Sequence, residues 1–201
     1  GLLYTKGQGV PQNFAKANEY FEQAAAKGCA EATYNLGASY VRGEGMPRSY
    51  SKALKLFKQA SGQGSISAIT SLGIMHHKGQ GVLRSFAKAI EFYEQAMAKG
   101  DEKAMFELGM MHGGGTGVPQ NFTKAINFYE EAAAKGIGDA TFHVFHRLDE
   151  VGDELRRKMI DGEELAADEL PPVFAELADG CTRKCLESIG GRGLVEDDYE
   201  L

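Results

Sequence analysis

The sequence has no tryptophan, only five prolines and only three cysteines in 201 residues. Three cysteines are too few, and an odd number, to suggest a fold held together by a disulfide framework. No apolar run approaches the ~18 residues that a membrane-spanning helix needs, so we expect no direct membrane insertion. Against these absences stand 26 glycines. Many glycines beside few prolines favour helices joined by recurring tight turns.

The charged residues are not arranged as nucleic-acid binding requires. The net charge is −6. Residues 1–150 carry 16 basic and 14 acidic side chains, whereas residues 151–201 carry 6 and 14. Without a basic stripe in the sequence we expect no nucleic-acid partner. The acidic C-terminal quarter predicts a second region of different character.

A period of 36 residues runs through the first two thirds of the chain. Leu-Gly pairs fall at Leu36-Gly37, Leu72-Gly73 and Leu108-Gly109. The same register carries two series of turn glycines, which are Gly7, Gly43, Gly79 and Gly115, and Gly9, Gly45, Gly81 and Gly117. A register kept over four units predicts a repeat architecture.

Each unit reads as two helices. The first, over residues 31–42 for example, places apolar residues four apart on one face. Its internal glycine costs about 1 kcal/mol relative to alanine, so its recurrence predicts a close approach of two helices. Four good N-cap residues begin the second helices, namely Asn13, Ser49, Ser85 and Asn121. Glycines suited to left-handed geometry end these helices at Gly28, Gly64, Gly100 and Gly136.

Such helix pairs bury their apolar faces only by stacking, which predicts an all-α, right-handed α-solenoid of antiparallel helix pairs. The pattern Ala-x-x-x-Leu-Gly-x-x-Tyr-x-x-Gly-x-Gly-Val, followed by Lys-Ala and Ala-Ala-x-x-Gly, resembles the Sel-1-like repeat (SLR) family, which is related to the tetratricopeptide (TPR) repeats. The resemblance covers residues 1–150, as four units and a degenerate fifth helix. It implies a protein-binding adaptor rather than an enzyme, with no cofactor and no metal. For residues 151–201 we expect a C-terminal helical cap and an acidic tail.

The stretch "HGGGTG" at residues 112–117 resembles the oxyanion loop of esterases and a phosphate-binding loop. However, the chain has no Gly-x-Ser-x-Gly nucleophile elbow, and Val118-Pro119 follows where a phosphate loop needs Gly-Lys-Ser/Thr. In the repeat register the stretch is the turn between the helices of the fourth unit. His76 and His112 occupy the position of Tyr4 and Tyr40, which favours a packing role over metal binding.

The remaining candidate ligands are Cys181 and Cys185, one helical turn apart. A zinc site needs further ligands, which the neighbouring sequence lacks. We therefore expect Cys181 and Cys185 to be buried as small apolar side chains.

The resemblance to TPR-like solenoids also implies a concave groove lined by the first helices. By repeat position, ten residues are candidates for contacting a partner. These are Tyr34, Ala38, Val41, Thr70, Ile74, His77, Phe106, Met110, Phe142 and His146. Tyr34, Ile74, Phe106, Met110 and Phe142 would form an apolar stripe that suits an extended or helical peptide. The alternative is that some of these residues pack between repeats.

The sequence therefore predicts a non-enzymatic scaffold that binds a peptide or partner protein. One alternative is an adaptor of endoplasmic-reticulum-associated degradation, and a secreted enzyme regulator is another. An alternative of a different class is an esterase-like enzyme in which His76, His77 and His112 converge with a carboxylate at the glycine loop. The cytoplasm is the favoured compartment. The lumen of the endoplasmic reticulum is the alternative, because the terminal Glu200-Leu201 resembles part of a retrieval signal.

Overall fold

A computed structural model describes residues 1–135 of the chain, which form α-helices without any strand. The helices are α1 Leu2–Lys6, α2 Phe14–Ala26, α3 Ala30–Arg42, α4 Tyr50–Gly62, α5 Ile66–Lys78, α6 Phe86–Met97, α7 Glu102–Gly114 and α8 Phe122–Ala134. Each helix packs on its neighbours along the chain, so the units stack into an all-α solenoid. The fold prediction is confirmed for this part of the chain.

The internal glycines of α3, α5 and α7 allow the close helix approach that their recurrence predicts. An added Cβ would lie 2.7 Å from the Phe57 ring at Gly37 and 2.5 Å from the Tyr93 ring at Gly73. Such distances are far shorter than a normal contact, so a methyl group would displace the ring. The glycine is therefore required by packing and not by the helix itself.

The second helices begin where their caps were predicted. Asn13 and Asn121 accept hydrogen bonds from the backbone N–H three residues later at 2.9 and 2.8 Å. Ser49 and Ser85 make the same contact at 3.4 and 3.3 Å. Each cap satisfies one of the N–H groups that a helix start leaves unpaired. The caps therefore set where each second helix begins.

The core has nearly the same composition in every unit. Small and aromatic residues of the second helices are buried, namely Ala17, Phe21, Ala53, Phe57, Ala60, Ala89, Tyr93, Ala96, Ala125, Tyr129 and Ala132. Against them pack Leu36, Leu72 and Leu108 of the first helices, all at most 6% exposed. Burial of each leucine contributes about 2 kcal/mol. The alanines let the two helices of a pair lie close together.

Several predictions fall outside the described residues. They concern the fifth-unit helix at 139–150 with Phe142 and His146, and the cap and tail at 151–201 with Cys181 and Cys185.

Candidate functional site

A depression of about 290 Å³ opens on the face formed by the first helices of three successive units. We call it the groove. Its lining comes mainly from α3, α5 and α7, and includes apolar Tyr34, Ala38, Val41 and Ile74 together with charged Arg42, Lys78, Lys103 and Glu107. The first helices are 36 residues apart in sequence, and only the stacking of units brings them to one surface.

Four predicted residues line the groove. Tyr34, Val41 and Ile74 are half-buried, so part of each side chain faces solvent while the rest is packed. The Tyr34 ring lies 5.7 Å from the Phe57 ring, which holds it in place. Ala38 is 7% exposed and contributes to the floor. These residues form an apolar surface on rigid helices.

The other predicted residues in the described part of the chain do not line the groove. Thr70 is only 2% exposed and its hydroxyl donates to the Ile66 carbonyl at 3.4 Å, so Thr70 cannot touch a ligand. Met110 is 37% exposed but is not among the residues that line the groove. The Phe106 ring is half-buried and lies 5.6 Å from the Tyr129 ring. The expected stripe is thus shorter than the repeat register implies.

His77 belongs to a polar cluster at the edge of the groove. Its Nδ1 lies 3.5 Å from the hydroxyl oxygen of buried Tyr93 and 4.0 Å from an oxygen of Glu107. Burial raises the pKa of the Tyr93 phenol, and the Glu107 carboxylate, to which it donates a hydrogen bond, raises it further. Tyr93 therefore stays a neutral donor, and its partner Glu107 lies at the wall of the groove.

The sequence contains a signal for this cluster that repeat-by-repeat reasoning about the first helices overlooks. One period of 36 residues earlier, Tyr93, His77 and Glu107 correspond to Phe57, Val41 and Ser71. All three changes are from less polar to more polar side chains. A buried hydroxyl needs partners, so the three changes belong together.

Cationic side chains of three units meet at the groove. Lys78 and Lys103 are exposed, and Arg42 donates to Glu44 at 2.7 Å. Neither lysine makes an ion pair among the described residues. The groove therefore combines an apolar lining with charged groups from α3, α5 and α7.

The "HGGGTG" stretch is a turn, as the repeat register predicts. Helix α7 continues to Gly114, and Gly115 and Gly117 then adopt positive φ angles of 63° and 77°. These match Gly43 at 73°, the C-cap of α3. The glycines thus end a helix and redirect the chain in the same way as in the other units.

Three histidines contact different sets of side chains. His76 stacks on Phe92 and His112 on Phe128, each pair with centroids 5.6 Å apart. Burial, followed by a neighbouring lysine, lowers the pKa of each of these two histidines. His77 lies instead in the cluster with Tyr93. His76 and His112 therefore pack as aromatic rings at the repeat position that tyrosine occupies in the other units. The three imidazoles do not meet at one carboxylate.

Two general features of the described part bear on the sequence predictions. Within residues 1–135, no three His, Cys, Asp or Glu side chains are grouped so that they could hold a metal ion. None of α1 to α8 is long and apolar enough to cross a membrane.

The helix pairs match the family model of the Sel1 repeat over residues 1–29, 30–65, 66–101 and 102–137. A protective antigen present in uropathogenic Escherichia coli strains, which displays an SLR fold, is 34% identical with a TM-score of 0.63. That match covers 71% of this chain and 31% of the antigen, so the chain spans about a third of its length. No curated protein matches the chain with significant similarity.

Two further solved structures share the architecture. A Sel1 repeat protein from Oxalobacter formigenes is 26% identical with a TM-score of 0.66, over 84% of this chain and 65% of that protein. Cysteine-rich protein B of Helicobacter pylori is 24% identical with a TM-score of 0.52, over 63% of this chain and 94% of that protein. The latter similarity is one of fold.

Proposed function

The chain belongs to the Sel1 repeat family, and from this we propose that it is a non-enzymatic scaffold which binds a peptide segment of a partner protein in the groove. Sel1 repeat proteins are generally non-catalytic scaffolds for protein–protein interaction. The observation that carries the proposal is that three successive first helices line one depression of about 290 Å³.

The size of the groove favours a peptide side chain as its occupant. Its volume lies at the lower limit of small-molecule pockets, which measure roughly 300–1,000 Å³. One apolar side chain of a partner would rest against Tyr34, Val41 and Ile74. Because these residues sit on packed helices, little ordering is needed when the partner binds.

The charged groups of the groove would orient the peptide. Lys78 and Lys103 attract carboxylates, whereas Glu107 accepts hydrogen bonds from donors. Tyr93 and His77 hold the Glu107 side chain from behind. A peptide with an apolar anchor and both charged and hydrogen-bonding groups fits this arrangement.

Peptide selection on the full chain, followed by fluorescence anisotropy with the selected peptides, tests the proposal. We expect Ile74→Ala to weaken binding by about tenfold, since loss of one buried aliphatic contact costs about 1–2 kcal/mol. Lys103→Ala should change the affinity less and should alter its salt dependence.

Tyr20→Ala is the matched control, because Tyr20 is 48% exposed on α2 and outside the groove. It should leave the affinity within about twofold, which is the scatter expected for a surface change. Circular dichroism establishes that each variant is folded. Equal affinity of the selected peptides for wild type and Ile74→Ala would refute binding in the groove.

A further inference from the structure

The basic residues of the solenoid are concentrated in the turns that join the two helices of each unit and in the helix ends that flank those turns. Residues 1–17, 37–53, 73–89 and 109–125 contain nine of the 15 lysines and arginines in residues 1–135. They contain only one of the 11 acidic residues, Glu44. The near balance of charge over residues 1–150 conceals this segregation. The remaining described residues carry most of the acidic side chains.

These segments lie against one another and form one surface, which we call the loop edge. Gly45 packs on the backbone of Phe14, with a distance of 2.5 Å from an added Cβ to the Phe14 carbonyl carbon. Gly81 packs on the backbone and Cβ of Tyr50, and Gly117 packs on the side chain of Phe86. Each turn therefore rests on the start of the preceding unit's second helix, and the basic segments follow one another along the solenoid.

Aromatic rings hold several cations of the loop edge without neutralising them. The Arg48 guanidinium lies 5.5 Å from the Tyr50 centroid, and that of Arg84 lies 5.2 Å from the Phe86 centroid. Both arginine side chains are exposed, and neither makes an ion pair within the described residues. Their positive charge is therefore available to a partner.

Leu83 is the second unusual feature of this surface. It is 92% exposed, more than any other large apolar residue in the described part of the chain. The other three units carry proline at this position, as Pro11, Pro47 and Pro119. Leu83 directly precedes Arg84, and its backbone lies beside His76, the neighbour of Lys88. An exposed leucine thus projects among cations.

We propose that the loop edge around Leu83 binds an acidic segment of a partner protein that also carries an apolar side chain. Carboxylates of the segment would pair with Arg84 and Lys88, and its apolar side chain would cover Leu83. Leu83, Arg84 and Lys88 do not line the groove, so this part of the loop edge adds a second contact site to the scaffold. A peptide is favoured over a nucleic acid because an apolar side chain gains from contact with Leu83, whereas a phosphate backbone does not.

The test uses the full chain and a labelled dodecapeptide of alternating Asp and Glu interrupted by two leucines. We expect binding that weakens with salt, because exposed charges are screened over about 10 Å at 0.1 M ionic strength. Arg84→Glu combined with Lys88→Glu should weaken it by about four- to 25-fold, since each exposed ion pair contributes a factor of about two to five. Leu83→Pro, which restores the residue of the other units, should weaken it about threefold through lost apolar area.

Lys27→Glu combined with Lys99→Glu is the matched control. It makes the same change of charge beyond the far ends of α2 and α6, and should bind the probe nearly as well as wild type. An equal loss in this control would overturn the proposal, because only net charge would then matter. Equal binding of the peptide with Asn and Gln in place of its acids would overturn it too.

Two further measurements locate the contact and identify its chemistry. Ile74→Ala, in the groove, should retain probe binding, and loss of binding there would assign the probe to the groove instead. A single-stranded DNA oligonucleotide of the same length should bind more weakly than the peptide. Equal or tighter binding of the DNA would refute an acidic protein segment as the partner.

Discussion

Replacing Gly73 by alanine will destabilise the protein, although alanine is the better helix former. A Cβ at this position would lie 2.5 Å from Cε1 and 2.6 Å from Cδ1 of Tyr93, and 3.3 Å from the Ala89 carbonyl oxygen. The Tyr93 ring is fully buried, and its hydroxyl is held by His77, so the ring has no space into which it could turn. The two helices of the unit would have to separate.

Two opposing contributions set the size of the effect. Alanine in a helix interior gains about 1 kcal/mol over glycine. Overpacking of a dense core costs about 1–3 kcal/mol. The added methyl group would lie about 1 Å too close to a ring that cannot move, so we expect a cost at the upper end of this range. We therefore expect the free energy of unfolding to fall by about 1–2 kcal/mol.

Urea denaturation followed by far-ultraviolet circular dichroism measures this change, with Gly62→Ala as the control. Gly62 is the last residue of α4, is exposed, and has no atom within 4 Å of an added Cβ. Gly62→Ala should be neutral or should stabilise by up to about 0.5 kcal/mol. If Gly73→Ala is as stable as wild type, or if Gly62→Ala loses as much stability, then close packing does not explain the recurring glycine.

Two other outcomes follow from the buried polar groups. Tyr93→Phe should lower the free energy of unfolding by about 1–2 kcal/mol, because it removes a hydrogen bond to the Glu107 carboxylate; unchanged stability in urea denaturation would contradict the role given to this cluster. The pKa values of His76 and His112 in the folded protein are lowered from 6.5. As the pH falls, these two histidines therefore bind protons at a higher pH in the unfolded chain than in the folded protein. Their contribution is complete above pH 6.5 and is lost as the pH falls through the lowered folded-state values. Replacing both by tyrosine, the residue at position 40, should flatten the decline in stability between about pH 6.5 and pH 5, and an unaltered pH profile would argue against this assignment.

Local interactions account for what the sequence by itself determined. The 36-residue register located the turn glycines and the four caps, because left-handed turns and N-terminal caps depend on residues within a few positions of each other. The same register correctly classified "HGGGTG" as a turn. The solenoid followed because amphipathic helix pairs of constant length can bury their apolar faces only against the next pair.

The tertiary structure decided which side chains of that solenoid reach solvent. Thr70 and Ile74 are one helical turn apart on α5, yet Thr70 is buried and Ile74 lines the groove, because exposure depends on how closely adjacent units pack. Tyr93 and Glu107 come from different units, and helix stacking alone brings the buried Tyr93 hydroxyl to Glu107, which lines the groove. The loop edge is likewise visible only after stacking, since cations 36 residues apart become neighbours when each turn rests on the unit before it.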